Sequence, residues 1–572
     1  MKLYIQTVRK AMLAAVKKAG YSYENEIKVE YPSEAAHGDY SSPVALELAK
    51  REGKKPREVA DELVAALEKP EGVEKIEIAG PGFINFFFAA DFLAKFSAQV
   101  IAAGDDFGNS EVMKGKTVVT DTSHPNVAKP MGVHHLLSTI IGNSLNRIFK
   151  AVGYNLVRDN YLGDWGTQFG KLIWAYKNWG DAEVVKKDPI PELLKLYVRF
   201  HEEVEQKPEL EDLGRAEFKK LEEGDSENKK LWRWIVDLSV QVFYKTWKRL
   251  DVEFDHINGE SFYEDKMQEI IAMGIEKGIF VEGERGALIA PFNHEKYPPA
   301  IIRKSDGATL YATRDLARIL YWERTWHPDL MVNVVDVAQE MYFKQLFEVT
   351  GMLNITDAKN IHVAFGRMSF PEKRMSTRKG NIILMDEVLD EAVERAHEMV
   401  KEKNPDLSDE QKKDIAQMVG IGAVKYAILC QNRTTNVTFT WDKMLSLEGN
   451  SAPYLQYVHA RGCSILRKGE AGTEKATEKT TTYNLPSELA LARLLPKLPE
   501  VAVQSAMDFK PNLLANYLFE VASAFNSFYA SAPVLQAEKE AERDARLQLV
   551  RATTVVLRNG LQLLGIQAPE VM

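Results

Sequence analysis

Residues 116–158 set the tightest limit on what this chain can fold into. Residues 116–119 are a short β-prone run that ends at Thr120-Asp121-Thr122. A loop rich in Pro and Asn follows, apolar spacing predicts a helix over 133–152, and Leu156-Val157-Arg158 reads as the next strand. Strand, loop, helix, strand is the pattern of a doubly wound parallel α/β sheet, with its ligand crevice at the carboxyl ends of the strands. Residues 300–303, 331–335 and 361–363 are expected as further strands. The charged helical stretch 188–255 reads as an insertion, because the alternating pattern resumes after it.

The flanking segments read differently. Before the sheet, helical spacing covers 3–19, 44–50 and 56–67, and strands are expected at 76–78 and 83–88 around Gly80-Pro81-Gly82. Residues 31–40 are a loop by composition. This is a small α+β unit. From Asp406 onward the apolar residues recur at helical spacing, through 415–429, 513–528 and 547–564, and an all-helical unit is expected. The Thr/Glu/Lys/Gly stretch 469–482 is an exposed loop between helices. The 572 residues thus form a multidomain α/β chain, divided at 1–112, 113–400 with its insertion, and 401–572. Only two cysteines are present, Cys430 and Cys463. They exclude a disulfide framework and a four-cysteine zinc site, and they fit a reducing cytosol. No apolar run reaches the roughly 18 residues of a membrane span. The N-terminus is a basic amphipathic helix without the apolar core of a secretory signal.

Two segments carry chemistry. The first, Asp121-Thr122-Ser123-His124-Pro125-Asn126-Val127-Ala128-Lys129-Pro130-Met131-Gly132-Val133-His134-His135, falls where the first strand ends and the helix begins. A helix N-terminus offers free N–H groups to phosphate, and histidines and a lysine there can donate to phosphoryl oxygens. Alone, it is equally a polar loop whose histidines cap a helix. The second, Lys373-Arg374-Met375-Ser376-Thr377-Arg378-Lys379-Gly380-Asn381, is a basic, small-residue loop suited to phosphate, or simply a solvated basic turn.

Together the two segments resemble the class I aminoacyl-tRNA synthetases, and within them the arginyl-tRNA synthetases. The first is similar to the S-x-P-N-x-A-K-P-x-H-x-G-H stretch of that family and the second to its M-S-T-R-K-G loop. Gly163-Asp164-Trp165-Gly166-Thr167-Gln168-Phe169-Gly170, Tyr311-Ala312-Thr313-Arg314-Asp315, Ser451-Ala452-Pro453-Tyr454-Leu455-Gln456-Tyr457, His37-Gly38-Asp39 and Pro81-Gly82-Phe83-Ile84-Asn85 extend the resemblance nearly end to end.

The resemblance implies a Rossmann-like catalytic unit, an N-terminal unit touching the tRNA D-loop and a helical anticodon-binding unit. It implies formation of arginyl-adenylate from L-arginine and ATP, with Mg²⁺, and transfer to tRNA(Arg). A cytosolic monomer is expected, with no zinc and no membrane. Asp121, Asn126, Tyr311, Asp315 and Gln339 match arginine-pocket residues. A guanidinium is best read by carboxylates, and such polar contacts reject analogues without an editing domain. Gly132, His134, His135, Met375, Ser376 and Arg378 match the ATP site. His135, Lys129, His134 and Arg374 are the catalytic candidates. Phe83 and Asn85, with Arg433, Phe525 and Tyr529, are the tRNA candidates.

Three positions depart from the pattern. H-x-G-H stands here as Gly132-Val133-His134-His135, so a histidine occupies the place of the glycine that lets adenine approach the backbone. Either the helix start shifts, or the ring stacks on the base, or ATP binding suffers. Thr377 replaces the second lysine of the basic loop, and Lys129 is the compensating cation. Tyr342 stands where the family often has His. The formal charge is −9, yet residues 405–572 hold 18 basic and 18 acidic side chains. A neutral helical unit in an acidic chain implies recognition of RNA by shape, stacking and local cations.

Overall fold

The computed structural model describes residues 3–32, 34–369, 383–470 and 482–572. Its N-terminal unit comprises α1 (Tyr4–Lys18), β1 (Tyr40–Ser42), α2 (Val44–Glu52), α3 (Pro56–Ala66), β2 (Val73–Ala79), β3 (Phe83–Phe88) and α4 (Ala90–Ala103). The strands pair antiparallel in the order β1-β3-β2. Strand alternation sends Ile84, Phe86 and Phe88 into the core and leaves Phe83, Asn85 and Phe87 on the other face. The expected strand at 76–78 is longer, and part of the expected loop 31–40 becomes β1. Gly38, at φ +96°, lets Asp39 approach β3: a Cβ there would lie 2.6 Å from the Phe86 carbonyl oxygen. Asp39 N donates to that oxygen, and the Asp39 carboxylate accepts from Phe88 N at 2.7 Å.

The central unit runs β4 (Thr117–Asp121), α5 (Val133–Ala151), β5 (Asn155–Asn160), α6 (Thr167–Trp179), α7 (Ala182–Lys187), α8 (Pro189–Gln206), α9 (Glu209–Glu223), α10 (Ser226–Arg249) and β6 (His256–Ile257). It continues through α11 (Met267–Glu276), β7 (Val281–Glu282), β8 (Leu288–Ala290), β9 (Ala300–Arg303), α12 (Tyr311–Trp326), β10 (Leu330–Asp336), α13 (Glu340–Leu353), β11 (Lys359–Phe365) and β12 (Met368–Ser369). Five strands form a parallel sheet in the order β11-β10-β4-β5-β6. The chain moves outward from β4 to β6, then returns to its other side as β10 and β11. The carboxyl ends of β4 and β10 therefore flank the point where strand order reverses, where such sheets bind ligands. The helices α7 to α10 lie between β5 and β6, as an insertion would. Ala300–Arg303 is a strand, but not of this sheet. It pairs antiparallel with β8, which pairs with β7, as a separate three-stranded sheet.

The last unit holds α14 (Met385–Lys403), α15 (Asp409–Leu429), β13 (Val437–Thr438), α16 (Trp441–Met444), α17 (Ala452–Glu470), α18 (Pro486–Leu494), α19 (Leu498–Asp508), α20 (Pro511–Ser531) and α21 (Glu540–Leu563). It is helical apart from β13, which pairs in parallel with β12 and ties this unit to the sheet. The N-terminal unit docks on α18 and α19. Glu500 accepts from Ile5 N at 2.7 Å and from the hydroxyls of Tyr31 and Tyr40, and Arg493 lies 3.2 Å from Asp39. The expected exposed loop 469–482 lies largely outside the described residues.

Candidate active site

The first motif leaves β4 through a strained turn. Ser123, His124 and Ala128 have positive φ values of 81°, 46° and 61°. Non-glycine residues hold that conformation only where surrounding contacts impose it. Ser123 N donates to Ser138 Oγ at 2.9 Å, and that hydroxyl donates to the Val334 carbonyl at 2.7 Å, joining α5, the loop and β10. Ser123 Oγ accepts from the buried Trp247 Nε1 at 3.0 Å. Asn160 Nδ2 donates to the Thr122 carbonyl at 2.6 Å. Asn126 then forms a bridge with Gly163, whose missing side chain leaves room: a Cβ there would lie 2.4 Å from Asn126 Oδ1. Asn126 itself is exposed at the crevice.

The helix starts at Val133, with Gly132 as its extended N-cap, so the histidine exchange does not shift the helix start. His135 is buried, and its Nδ1 accepts from Gly132 N at 3.1 Å. Burial, with His134 and His124 nearby, pushes its pKa down to about 3. The ring is neutral, and its Nε2–H remains to donate. His134 is exposed, its ring 3.9 Å from that of His135. Lys129 Nζ lies 5.3 Å over the Tyr197 ring of α8. The motif is also stitched to the chain that follows the basic segment: Val133 N donates to the Ile383 carbonyl at 3.1 Å and Met385 N to the Met131 carbonyl at 2.8 Å. Arg374, Met375, Ser376 and Arg378 lie outside the described residues, whereas residue 383 sits against the N-terminus of α5.

On the other side of the crevice, α12 carries Tyr311, 65% exposed, and one turn further in the buried Asp315. Gln339 is exposed just beyond β10, in the short turn Val337–Gln339. Asp315 accepts from the Tyr342 hydroxyl, and burial raises its pKa. Tyr342 thus fills the departure position with a donor to the carboxylate. Asp121, expected in the arginine pocket, is engaged within the protein. It is 1% exposed, and its Oδ2 is taken by Arg318 Nη1 and by His124 Nε2 at 2.9 Å. Its Oδ1 has no hydrogen-bond partner. Neither Arg318 nor His124 was recognisable from spacing, since an arginine on a helix usually faces solvent.

Two tRNA candidates are also corrected. Phe525 is 1% exposed, packed into the helical core, and offers no face to a base. Arg433 donates to the carbonyls of Phe509 at 3.1 Å and Ala364 at 2.6 Å, so it is a strut between the helical unit and β11. Tyr529 is 44% exposed and stands in a cluster that sequence reasoning missed. Arg461 stacks on Tyr457 at 4.6 Å and Tyr529 at 5.3 Å and donates to Asn526, which donates to the Tyr454 hydroxyl. The spacing Tyr454, Tyr457, Arg461 puts the three on one face of α17 and was the available signal. In the N-terminal unit Phe83 is half-buried, and Asn85 is buried, accepting from Ser41 Oγ at 2.7 Å.

A parallel sheet with its crevice at a strained strand-to-helix turn, followed by a helical unit, fits a class I aminoacyl-tRNA synthetase, and the comparisons show that class. Residues 98–441 match the family described as tRNA synthetases class I (R), catalytic domain. Residues 6–88 match the arginyl tRNA synthetase N terminal domain, and 455–572 the DALR anticodon binding domain. The chain is 44% identical to an arginine–tRNA ligase of Enterococcus faecalis and 42% identical to one of Clostridium perfringens, with 95% of this chain covered in each case and 95% and 96% of the relatives. The solved arginyl-tRNA synthetase of Thermus thermophilus matches with a TM-score of 0.85 and 27% identity over 100% of both chains. The chain belongs to the arginyl-tRNA synthetases, the class I enzymes that use ATP to ligate arginine to tRNA.

Proposed function

We propose that this chain forms arginyl-adenylate from L-arginine and ATP in the crevice between β4 and β10, then transfers the arginyl group to the terminal ribose of tRNA(Arg). The observation that carries the site is the N-terminus of α5 with His134 and His135 in its first turn, held at the switch point by the strained turn and stitched to the residues after the basic segment. The reaction is an in-line attack of a carboxylate on the α-phosphate, so positioning and charge stabilisation do most of the work. The positive dipole end of α5 stabilises phosphate oxygens, and the neutral His135 donates to them. Lys129 supplies a cation from its place beside Tyr197, and Arg374, Met375, Ser376 and Arg378 of the basic segment are the further ATP-side candidates. His134 stacks its exposed ring on the adenine. Asn126 and Gln339 hold the amino end of arginine, and Tyr311 and Asp315 its guanidinium.

The described side chains at the crevice mouth include Asn126, Lys129 and His134, which suit phosphate better than a metal. Mg²⁺ would arrive on the triphosphate oxygens and neutralise their charge. Phe83 meets the D-loop, while Asn85, expected beside it, is buried against Ser41 and fixes the strand pair that carries Phe83. Tyr529, Arg461, Tyr457 and Tyr454 form the anticodon platform, where aromatic and guanidinium faces stack on splayed bases. The division at 112/113 is supported by β4 opening at Thr117, whereas the boundary at 400/401 falls inside α14, so the helical unit opens earlier, at Met385. The working form is a cytosolic monomer. ATP–pyrophosphate exchange with arginine is expected to be negligible until tRNA is added, and robust exchange without tRNA would count against this reading.

A further inference from the structure

The core of α12 places a guanidinium of the chain's own where the resemblance expects the substrate's. Arg318 Nη1 donates to Asp121, and Nη2 donates to Asn333 Oδ1 at 2.9 Å and lies 3.5 Å from Asp315 Oδ1. Its planar head sits between the rings of Tyr161 at 4.5 Å and Trp322 at 4.8 Å, and the residue is buried. Every group that holds it stands on β4, β10, α12 or the end of β5. This is a built site and not a latch on a moving loop.

Two facing buried carboxylates without a cation cannot both remain ionised. Arg318 balances one of them, which leaves Asp121, Asp315 and Arg318 with a single net negative charge. That residual charge matches one incoming guanidinium. Asp121 is the deeper carboxylate, and its Oδ2 is taken by Arg318 and His124. Asp315 lies one helical turn below the exposed Tyr311, nearer the mouth.

We propose that Arg318 is a fixed internal counterion and a positioning residue for arginine recognition: it takes up Asp121 and keeps Asp315 ionised and placed to meet the substrate guanidinium. Asp121 then acts through Arg318 and does not touch the substrate. This rests on the reading of the pocket as the arginine site.

The test is steady-state aminoacylation by the full-length chain, varying arginine, ATP and tRNA separately. Arg318→Met is expected to raise the KM for arginine by about tenfold to a hundredfold, the loss of a charge-assisted contact, with the other two KM values within about twofold. Arg318→Lys, which keeps the charge but not the fork, recovers part of the loss. The double variant Asp121→Asn/Arg318→Met removes both members of the pair and leaves Asp315 as the single negative charge, so it melts near the wild type and recovers much of the arginine KM.

A pH profile adds a signature that a merely structural role does not give. Tyr342, Asp121, Tyr161 and Glu260 face Asp315 from other elements, and Arg314 on its own helix is engaged by Glu264 at 2.8 Å. Without Arg318, the Asp315 carboxyl, already raised by burial, loses the neighbouring charge that lowers it, so the ratio of variant to wild-type KM is expected to fall as pH rises. A lower KM for arginine in Arg318→Met would overturn the proposal, because the side chain would then be competing with substrate. An equal rise in all three KM values would overturn it too. If Asp315→Asn also leaves the arginine KM unchanged, the pocket reading itself fails, and not this inference alone.

Discussion

Ser123 offers a sharp test of how the turn after β4 is held. Its hydroxyl accepts from Trp247 Nε1 at 3.0 Å, and Trp247 is fully buried. Thr139 also approaches Ser123 Oγ at 2.9 Å, but its proton has a second acceptor, the His135 carbonyl at 2.6 Å. Ser123→Ala therefore orphans one buried donor, the indole N–H, at about 2 kcal/mol. In a domain of this size that corresponds to a fall in melting temperature of roughly 5 °C. Ser123→Gly loses the same hydrogen bond but relieves a side chain held at φ 81°. That relief is about 1 kcal/mol, so Gly should melt roughly 3 °C above Ala. Elsewhere glycine is ordinarily the less stable of the two. The assay is differential scanning fluorimetry with ATP KM measured in parallel. The KM is expected to rise in the Ala variant, because the same turn sets Asn126 and the start of α5. An Ala variant as stable as wild type, or a Gly variant less stable than Ala, would refute the account of the turn.

Other outcomes follow from the same geometry. Burial pushes the Glu260 carboxyl up to about 7, so its linked stability is full below pH 4 and is lost as pH rises through 7. The stability of Glu260→Gln relative to wild type should therefore rise between pH 4.5 and 7.5 in melting experiments, and a pH-independent difference contradicts this. Arg461→Ala is expected to raise the KM for tRNA by about tenfold through lost stacking, with the KM for ATP unchanged. His134→Ala should raise the KM for ATP several-fold if the ring stacks on adenine, and a lower KM would mean that it obstructs the base.

Sequence pattern carried the fold where structure is local and failed where it depends on partners. The helix expected at 133–152 is α5, Val133–Ala151, because its apolar spacing and glycine N-cap are written in consecutive residues. The strand at 300–303 was legible as a strand, but β-propensity does not name a neighbour, and it joined a separate antiparallel sheet. Val437–Thr438 pairs with Met368–Ser369, too short a match across too long a gap to be read. The site shows the same division. Asn126 and Tyr311 are exposed after β4 and at the start of α12, whereas Arg318 comes from the third dimension: its charge matters because β4 and β10 bring Asp121 and Asn333 to it. Phe525 and Tyr529 share a helix face in sequence, yet packing of α20 buries the first and exposes the second.

The most direct measurement of the central claim is aminoacylation with labelled arginine, ATP and total tRNA. Arginine should accumulate on tRNA as an alkali-labile ester. Canavanine should compete, because it keeps the guanidinium-like head, while citrulline, which lacks the charge that Asp315 reads, should not. Folded protein that binds tRNA and yet fails to charge it with arginine would contradict the account and leave a tRNA-binding chain without catalysis.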